Sequence, residues 1–317
     1  MNKSAKIFVA GHRGLVGSAL VRLLRVSGYE NLVLRTSKEL DLRNQASVNE
    51  FFALEKPDYV FLAAAKVGGI NANMTFPADF IYDNLVIQSN VIKACFTSGV
   101  KKTCFLGSSC IYPRDCPQPM KEEYLLSGPL EPTNEGYAIA KIAGLKLMKF
   151  HHQQYGLKGI CPMPCNLYGP GDSFDLSNSH VLSALVRRFV EAVNAGRDEI
   201  TLWGSGIARR EFLHVDDMAR AVLFLMEKYD SPDVVNVGSG NDLTIKELAE
   251  MIAEKTGFSG KIFWDTSKPD GMLRKCLDVS RITQMGFQPK ISLSEGVDQV
   301  IHEFCELNSL SRQNKEL

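Results

Sequence analysis

Ile7-Phe-Val-Ala10-Gly11-His-Arg-Gly14-Leu-Val-Gly17-Ser-Ala-Leu20 is the stretch on which the fold turns. A short apolar run ends on glycine, and a pattern with apolar residues at 15, 16, 19, 20, 23 and 24 follows at once, placing them on one face of a helix. A strand that feeds a glycine turn and then a helix N-terminus is the opening of a parallel βαβ unit able to grip a dinucleotide. The glycines permit the tight turn, let backbone approach a pyrophosphate and let helix meet sheet, while the helix N-terminus offers unpaired N–H groups to an anion. Gly11, His12, Arg13, Gly14, Leu15, Val16 and Gly17 are therefore the candidate phosphate loop.

Outward from this loop the same rhythm repeats. Apolar, strand-like runs recur at residues 6–10, 31–34, 59–63, 102–106 and 159–163, separated by amphipathic stretches of which 15–25 and 77–96 are the clearest helices. This alternation predicts an α/β chain with a doubly wound parallel sheet of the Rossmann type covered by helices on both faces. Beyond Tyr168-Gly-Pro-Gly-Asp172 the rhythm loosens, with glycines at 204, 206, 238, 240 and 271 punctuating short mixed elements. The expected division is a nucleotide-binding domain over 1–170 and a smaller mixed α/β substrate lobe over 171–317, some of whose segments return to the first domain. Within that lobe Asp216 reads as the start of a helix over 217–229, and Thr244 with Glu247 has the spacing of a capping box.

Composition narrows the function. The chain has 317 residues, enough for large apolar cores without disulfide staples, and its 36 Lys+Arg balance its 36 Asp+Glu. No global field favours a nucleic-acid backbone or an anionic membrane, so neither is an expected partner. The start lacks the apolar core of a signal peptide, and no run reaches the roughly 18 apolar residues of a spanning helix; a cytoplasmic protein is the expectation. Eight cysteines are scattered without a C-x-x-C pair or a histidine at ligand spacing, so they read as reduced, mostly buried thiols, and no metal is expected.

Cofactor choice hangs on the residues after the second strand. An NAD site usually carries an acidic residue there for the ribose 2′-hydroxyl, whereas this chain has Leu34-Arg35-Thr36-Ser37-Lys38. Arg35, helped by Arg13, suits the 2′-phosphate of NADP(H); the alternative for both is a solvated surface charge. Further on, Tyr137-Ala-Ile-Ala-Lys141 sets a phenol and an ammonium one helical turn apart. A phenol with an ordinary pKa near 10 is a poor acid–base partner at neutrality, so the expectation is that Lys141 lowers it. The preceding strand runs into Gly107-Ser108-Ser109-Cys110, which points a hydroxyl into the crevice where open α/β sheets bind ligands. Ser108, Tyr137 and Lys141 form the candidate carbonyl-reducing set. Taken alone, Cys110 remains open between a core thiol and a reactive one, and His180 between a helix-start or core histidine and an acid.

The ordered strings Ala10-Gly-His-Arg-Gly-Leu-Val-Gly17, Ala63-Ala-Ala-Lys66-Val-Gly-Gly69, Gly107-Ser-Ser-Cys-Ile-Tyr-Pro113, Glu131-Pro-Thr-Asn134 with Tyr137 and Lys141, Asn178-Ser-His180-Val, and Arg210-Glu-Phe-Leu-His214-Val-Asp-Asp217 span nearly the whole chain. Together they resemble the GDP-L-fucose synthase family, the GDP-4-keto-6-deoxy-D-mannose 3,5-epimerase-4-reductases within the extended short-chain dehydrogenases. The resemblance implies an NADPH-dependent homodimer that inverts C3 and C5 of a GDP-linked keto sugar and then reduces C4. It implies Cys110 as the base and His180 as the acid, with Ser108 and Tyr137 holding the C4 oxygen. That division of labour is chemically coherent, because protons on C3 and C5 both lie α to the C4 ketone, and a thiol near a cation is more easily ionised. Matching positions add Ser37, Asp41, Leu42, Ala63, Ala64, Ala65, Leu106, Gly107, Ser109, Pro164, Cys165, Asn166 and Leu167 to the cofactor contacts, with His180 beside them. They also assign Asn166, Arg188, Trp203, Arg210 and Asp270 to the nucleotide sugar.

The chain departs from the family pattern at Cys165, where threonine is usual, at Ser173, where asparagine is common, and at Ser183, where proline is usual. None removes a group with a chemical role. Rival readings are a 4,6-dehydratase or C4-epimerase, a relative acting on another GDP-keto-deoxy sugar such as a colitose synthase, and a non-catalytic NADP-binding regulator. Ser109-Cys110 stands where dehydratases carry an acidic pair, and the full set of Ser108, Cys110, Tyr137, Lys141 and His180 argues against a regulator.

Overall fold

The computed structural model describes residues 1–175, 179–268 and 270–313, so Asn178 of the quoted string lies outside the described residues. The first half runs β1 (Ile7–Ala10), α1 (Leu15–Val26), β2 (Leu32–Val33), α2 (Gln45–Glu55), β3 (Tyr59–Leu62), α3 (Ile70–Thr75), α4 (Pro77–Thr97), β4 (Lys102–Phe105), α5 (Glu135–Tyr155) and β5 (Gly159–Pro164). The second half continues with β6 (Asn166–Tyr168), α6 (Val181–Asn194), β7 (Glu199–Trp203), β8 (Arg209–His214), α7 (Val215–Lys228), β9 (Val234–Val237), β10 (Asp242–Thr244) and α8 (Ile245–Thr256). It ends with β11 (Lys261–Asp265), β12 (Arg274–Lys275), α9 (Ser280–Gln284) and α10 (Leu293–Gln313).

A six-stranded parallel sheet has the order β2-β1-β3-β4-β5-β9, as the apolar rhythm requires. Its last strand comes from the second half of the chain. Around this sheet Phe8, Phe52, Phe61 and Leu62 are sealed from solvent, and Phe8 meets Phe51 and Phe52 at ring distances of 4.7 and 5.9 Å. Each such side chain contributes about 1.5–3 kcal/mol by leaving water. A second core, with Leu182, Phe189, Leu248 and Val297 at its centre, joins α6, α8 and α10. Over it lie β10-β8-β12, with β6 also paired to β8, and the separate pair β11-β7.

Two local features position the functional helix α5. At Gly144 a Cβ would run into the Phe105 ring and the Gln88 amide, so only glycine lets α5 lie this close to β4 and α4. The Gln88 amide then donates to the Ala140 carbonyl at 2.5 Å, fixing α4 against α5 at the level of Lys141. On the other side of the cleft, Glu211 of β8 is fully buried. Its carboxylate accepts from Gly240 N–H at 2.6 Å and Leu277 N–H at 2.8 Å, which anchors the chain on both sides of β8.

The expected helix start at Asp216 is displaced by two residues. His214 caps α7, its Nδ1 accepting from the Asp216 N–H at 3.2 Å, because a buried imidazole reaches back to the free N–H groups of the first turn. The Asp216 carboxylate is free to pair with Arg22 of α1 at 2.7 Å instead. The capping box at Thr244 and Glu247 forms as the spacing predicts. The cysteines are free thiols, buried except for half-buried Cys110 and exposed Cys305. Among the described residues no helix is long and apolar enough to cross a membrane, and no group of three or more His, Cys, Asp or Glu is placed to hold a metal ion.

Candidate active site

The carboxyl ends of β1, β3, β4 and β5 open into a cleft of about 900 Å³ whose opposite wall is built from the second half of the chain. Residues 11–17, 63–65, 106–110 and 164–167 line one side, and Arg210, Met272 and Lys275 line the other. All the residues assigned from the sequence to catalysis and to the cofactor reach this cleft, including Arg35, Ser37, Asp41, Leu42, Tyr137, Lys141 and His180.

The glycine loop fits a dinucleotide in detail. Gly11 holds φ +83°, and a Cβ there would sit 2.6 Å from the Ala64 nitrogen. At Gly17 a Cβ would collide with the Gly11 carbonyl, so the turn and α1 can nest only without side chains at these two positions. No side chain caps α1 at Gly14, which leaves the N–H groups of its first turn to an anion. His12 Nδ1 is buried and finds no partner among the described residues. At the far end Arg35 is held by two acceptors, Leu34 O at 3.0 Å and the Glu55 carboxylate at 2.7 Å. The guanidinium is therefore not simply solvated; Glu55 fixes its direction at the rim of the cleft.

Tyr137 and Lys141 share one face of α5, with the ammonium 5.8 Å from the phenol ring centre. The expected depression of the phenol's pKa is not what this environment produces. Tyr137 is raised well above the ordinary phenol range, first by burial and then by the charge of Cys110, with the Ser108 hydroxyl opposing. Burial also lowers Lys141 to about 8, and its Nζ donates to the Leu106 carbonyl at 2.8 Å. The physical reason is that a dry site penalises both charged forms, and the backbone carbonyl of Leu106 rather than the phenol accepts the ammonium's hydrogen bond. Tyr137 is thus a neutral hydroxyl at physiological pH, with its proton in place to be donated.

Cys110 sits on the single 3-10 turn Ser109–Ile111 that follows β4, and the Ser108 hydroxyl caps that turn by accepting from Cys110 N–H at 3.3 Å. Two donors face its sulfur: the Asn134 amide at 3.3 Å and the Lys275 ammonium at 3.6 Å. His180 stands at the N-terminus of α6, exposed at the mouth of the cleft. Its Nδ1 lies 3.3 Å from the Asp172 carboxylate, whose own side chain is 4% exposed. Asp172 raises the imidazole's pKa, against the opposing effect of burial. The same carboxylate accepts from Ser183 Oγ at 2.5 Å and from Ser173 N–H at 2.9 Å, so one departure from the family pattern, the Ser183 hydroxyl, serves to orient it.

Of the residues assigned to substrate, Asn166 and Arg210 reach the cleft and three do not. Arg188 points at the Thr201 carbonyl at 3.3 Å, and Trp203 is 66% exposed with Lys268 over its ring. Asp270 instead accepts from the Ser205 N–H and hydroxyl, both at 2.7 Å, closing the turn after β7. Asp270 nevertheless borders the cleft, since its carbonyl accepts from Arg210 at 3.2 Å and the next residues, Gly271 and Met272, line the cleft wall. Sequence reasoning left unassigned Asn134, Lys275 and Asp172. Asn134 and Asp172 fell inside quoted strings, whereas nothing in the local pattern marked Lys275, whose contact with Cys110 spans 165 residues.

Residues 7–238 match the NAD dependent epimerase/dehydratase family. The chain is 60% identical over 306 residues to the putative GDP-L-fucose synthase 2 of Arabidopsis thaliana, covering 96% of this chain and 93% of that protein. It is 52% identical over 310 residues to GDP-L-fucose synthase of Escherichia coli (strain K12), covering 95% and 97% respectively. Among solved structures, the GDP-mannoheptose C4 reductase of Campylobacter jejuni with NADP bound superimposes with a TM-score of 0.89 at 37% identity, over 96% of this chain and 99% of that one.

The Asp172 contact generates a pH test. A histidine whose folded pKa is raised keeps its proton above the ordinary value of about 6.5, and the stabilisation from the Asp172 pairing is present below that value and lost as pH rises through the raised one. An NMR titration of His180 should therefore give a midpoint above that of a free imidazole, and Asp172→Asn should move it downward. An unmoved midpoint would show that Asp172 does not hold the imidazolium.

Proposed function

The chain belongs to the NAD dependent epimerase/dehydratase family, and from that premise we propose that it converts GDP-4-keto-6-deoxy-D-mannose to GDP-L-fucose, inverting C3 and C5 and then reducing C4 with NADPH. The observation that carries the reading is the convergence of two proton-transfer groups, Cys110 and His180, with the reducing set Ser108, Tyr137 and Lys141 on one cleft. A plain dehydrogenase has no use for the first two. When bound, NADPH supplies the hydride that reduces C4. The loop 11–17 would hold its pyrophosphate, Arg35 and Arg13 its 2′-phosphate, and Lys141 its nicotinamide ribose.

The residues then divide the work as follows. The Cys110 thiolate accepts the proton from the carbon next to the C4 ketone, and the C–H electron pair passes into an enolate. Ser108 and Tyr137 donate to the enolate oxygen, which is where charge develops. The His180 imidazolium delivers a proton to the opposite face, and its pairing with Asp172 keeps it charged for that step. Before a second inversion the thiol must return its proton to water and the imidazole must regain one, so each inversion imports a solvent hydrogen. In the reduction the Tyr137 hydroxyl protonates the C4 oxygen; a phenol raised by burial still carries that proton at neutral pH.

This division predicts that the two activities separate by mutation. Cys110→Ser should slow deuterium uptake at C3 and C5 from D2O by roughly 10²-fold or more, since an alcohol is too weak an acid to serve as a base, while C4 reduction of the unepimerised sugar continues. Tyr137→Phe should abolish reduction while slowing exchange less severely, because Ser108 still donates to the enolate oxygen. Product NMR and NADPH absorbance read both; exchange at the wild-type rate in Cys110→Ser would show that another group is the base.

At the cofactor rim, Arg35→Ala should lower kcat/KM for NADPH by about tenfold or more and leave NADH nearly unchanged, because the charge-assisted bond exists only with the 2′-phosphate. Equal losses for both cofactors would remove Arg35 from that role.

The reading also includes a two-fold dimer through α4 and α5, supported by exposed Tyr82 on α4 and by exposed Ile139 and Phe150, which recur on one face of α5. Sedimentation velocity should give a dimer for the wild type and a monomer for Ile139→Lys combined with Phe150→Lys. A dimer that survives both changes would place the interface elsewhere.

A further inference from the structure

A thiol working as a base near neutrality needs a neighbouring cation, because an ordinary thiol with pKa about 8.5 is largely protonated there. The first half of the chain does not supply one at Cys110. Lys141 is turned to the Leu106 carbonyl, and the partner that the Ser109–Ile111 turn meets across the preceding loop is the neutral Asn134 amide. The cation comes from the opposite wall. Lys275, the last residue of β12, reaches over and places its Nζ 3.6 Å from the sulfur.

This placement is built rather than incidental. Lys275 lies in register with Arg210 on the parallel pair β12-β8. The next residues are tied down on both sides, with Cys276 N–H donating to Gln118 Oε1 at 3.0 Å and Leu277 N–H donating to the buried Glu211 carboxylate at 2.8 Å. The adjacent Arg274 is engaged with Asp242, whereas among the described residues no ion pair claims the Lys275 ammonium. The other titratable or charged groups at this end of the cleft are Tyr137 and Lys141 from α5, Glu131 from the preceding loop, His180 from the start of α6 and Arg210 from β8. Of these, Tyr137 is kept neutral by burial and by the Cys110 charge, so it brings no cation to the sulfur.

We propose that Lys275 is the positioning residue that sets the charge state of Cys110, holding it as a thiolate, so that the proton-accepting group is assembled from both halves of the chain. The proposal deepens the reading of Cys110 as the base, and its decisive measurement needs neither substrate nor turnover. In a Cys305→Ser background the remaining thiols are buried except Cys110, so the rate of alkylation by iodoacetamide reports that sulfur. Lys275→Met should slow alkylation at pH 7 by about tenfold, with the rate recovered at higher pH, since removing a unit charge at this separation costs at least one tenfold step. Lys275→Gln keeps a donor without the charge and should show the same shift, while Lys275→Arg should restore the wild-type profile. Deuterium exchange at C3 and C5 should follow the same displacement along pH. A shifted alkylation profile with unshifted exchange would uphold Lys275 as the partner of the thiol and count against Cys110 as the base. Identical alkylation profiles for wild type, Lys275→Met and Lys275→Gln would overturn the proposal, whatever reaction the protein performs.

Discussion

The buried Glu211 carboxylate is the point from which the far wall of the cleft is hung. It accepts backbone N–H groups from Gly240 and Leu277, while the backbone of Glu211 itself accepts the Asn166 amide at 2.9 Å. Burial raises its pKa to about 7, against the pull of the N–H groups from Leu277, Gly240 and Ser239. A buried carboxylate is costly unless its oxygens are paired, and here the pairing partners are main-chain groups of segments far apart in sequence. Satisfying one acidic group thereby determines where β12 ends, and with it where Arg210 and Lys275 meet the strand ends of the parallel sheet.

From that constraint the electrostatics of the cleft follow. The reducing end is dry, so both Tyr137 and Lys141 are driven toward their neutral forms, which suits a hydroxyl that must keep a proton until an oxygen needs it. Cys110 and His180 are treated differently. His180 is exposed and faces the Asp172 carboxylate, whereas Cys110 is half-buried and faces the Lys275 ammonium. The same side chains in a uniformly apolar pocket would both be neutral and neither would be ready to act.

Much of this was legible in the chain because it is local. The turn from β1 through Gly11 and Gly17 to α1 depends on neighbours in sequence, and so does the pair Tyr137 and Lys141 on one helical face; period and spacing report both. Thr244 and Glu247 likewise close a box within one turn. Where reading failed, a distant partner outweighed a local rule. Asp216 looks like a helix cap but is claimed by Arg22, 194 residues away, leaving His214 to cap α7.

By itself the sequence determined the doubly wound sheet, the dinucleotide loop and the pairing of Tyr137 with Lys141 on one helical face, since each is written in residue types a few positions apart. Only the tertiary structure decided how those groups are charged and which residues share their cleft. Charge state depends on burial and on the nearest opposite charge. For Tyr137 burial comes with the packing of α5 against β4 through Gly144, and the ammonium that faces Cys110 is Lys275, brought across from β12; no local spacing encodes either.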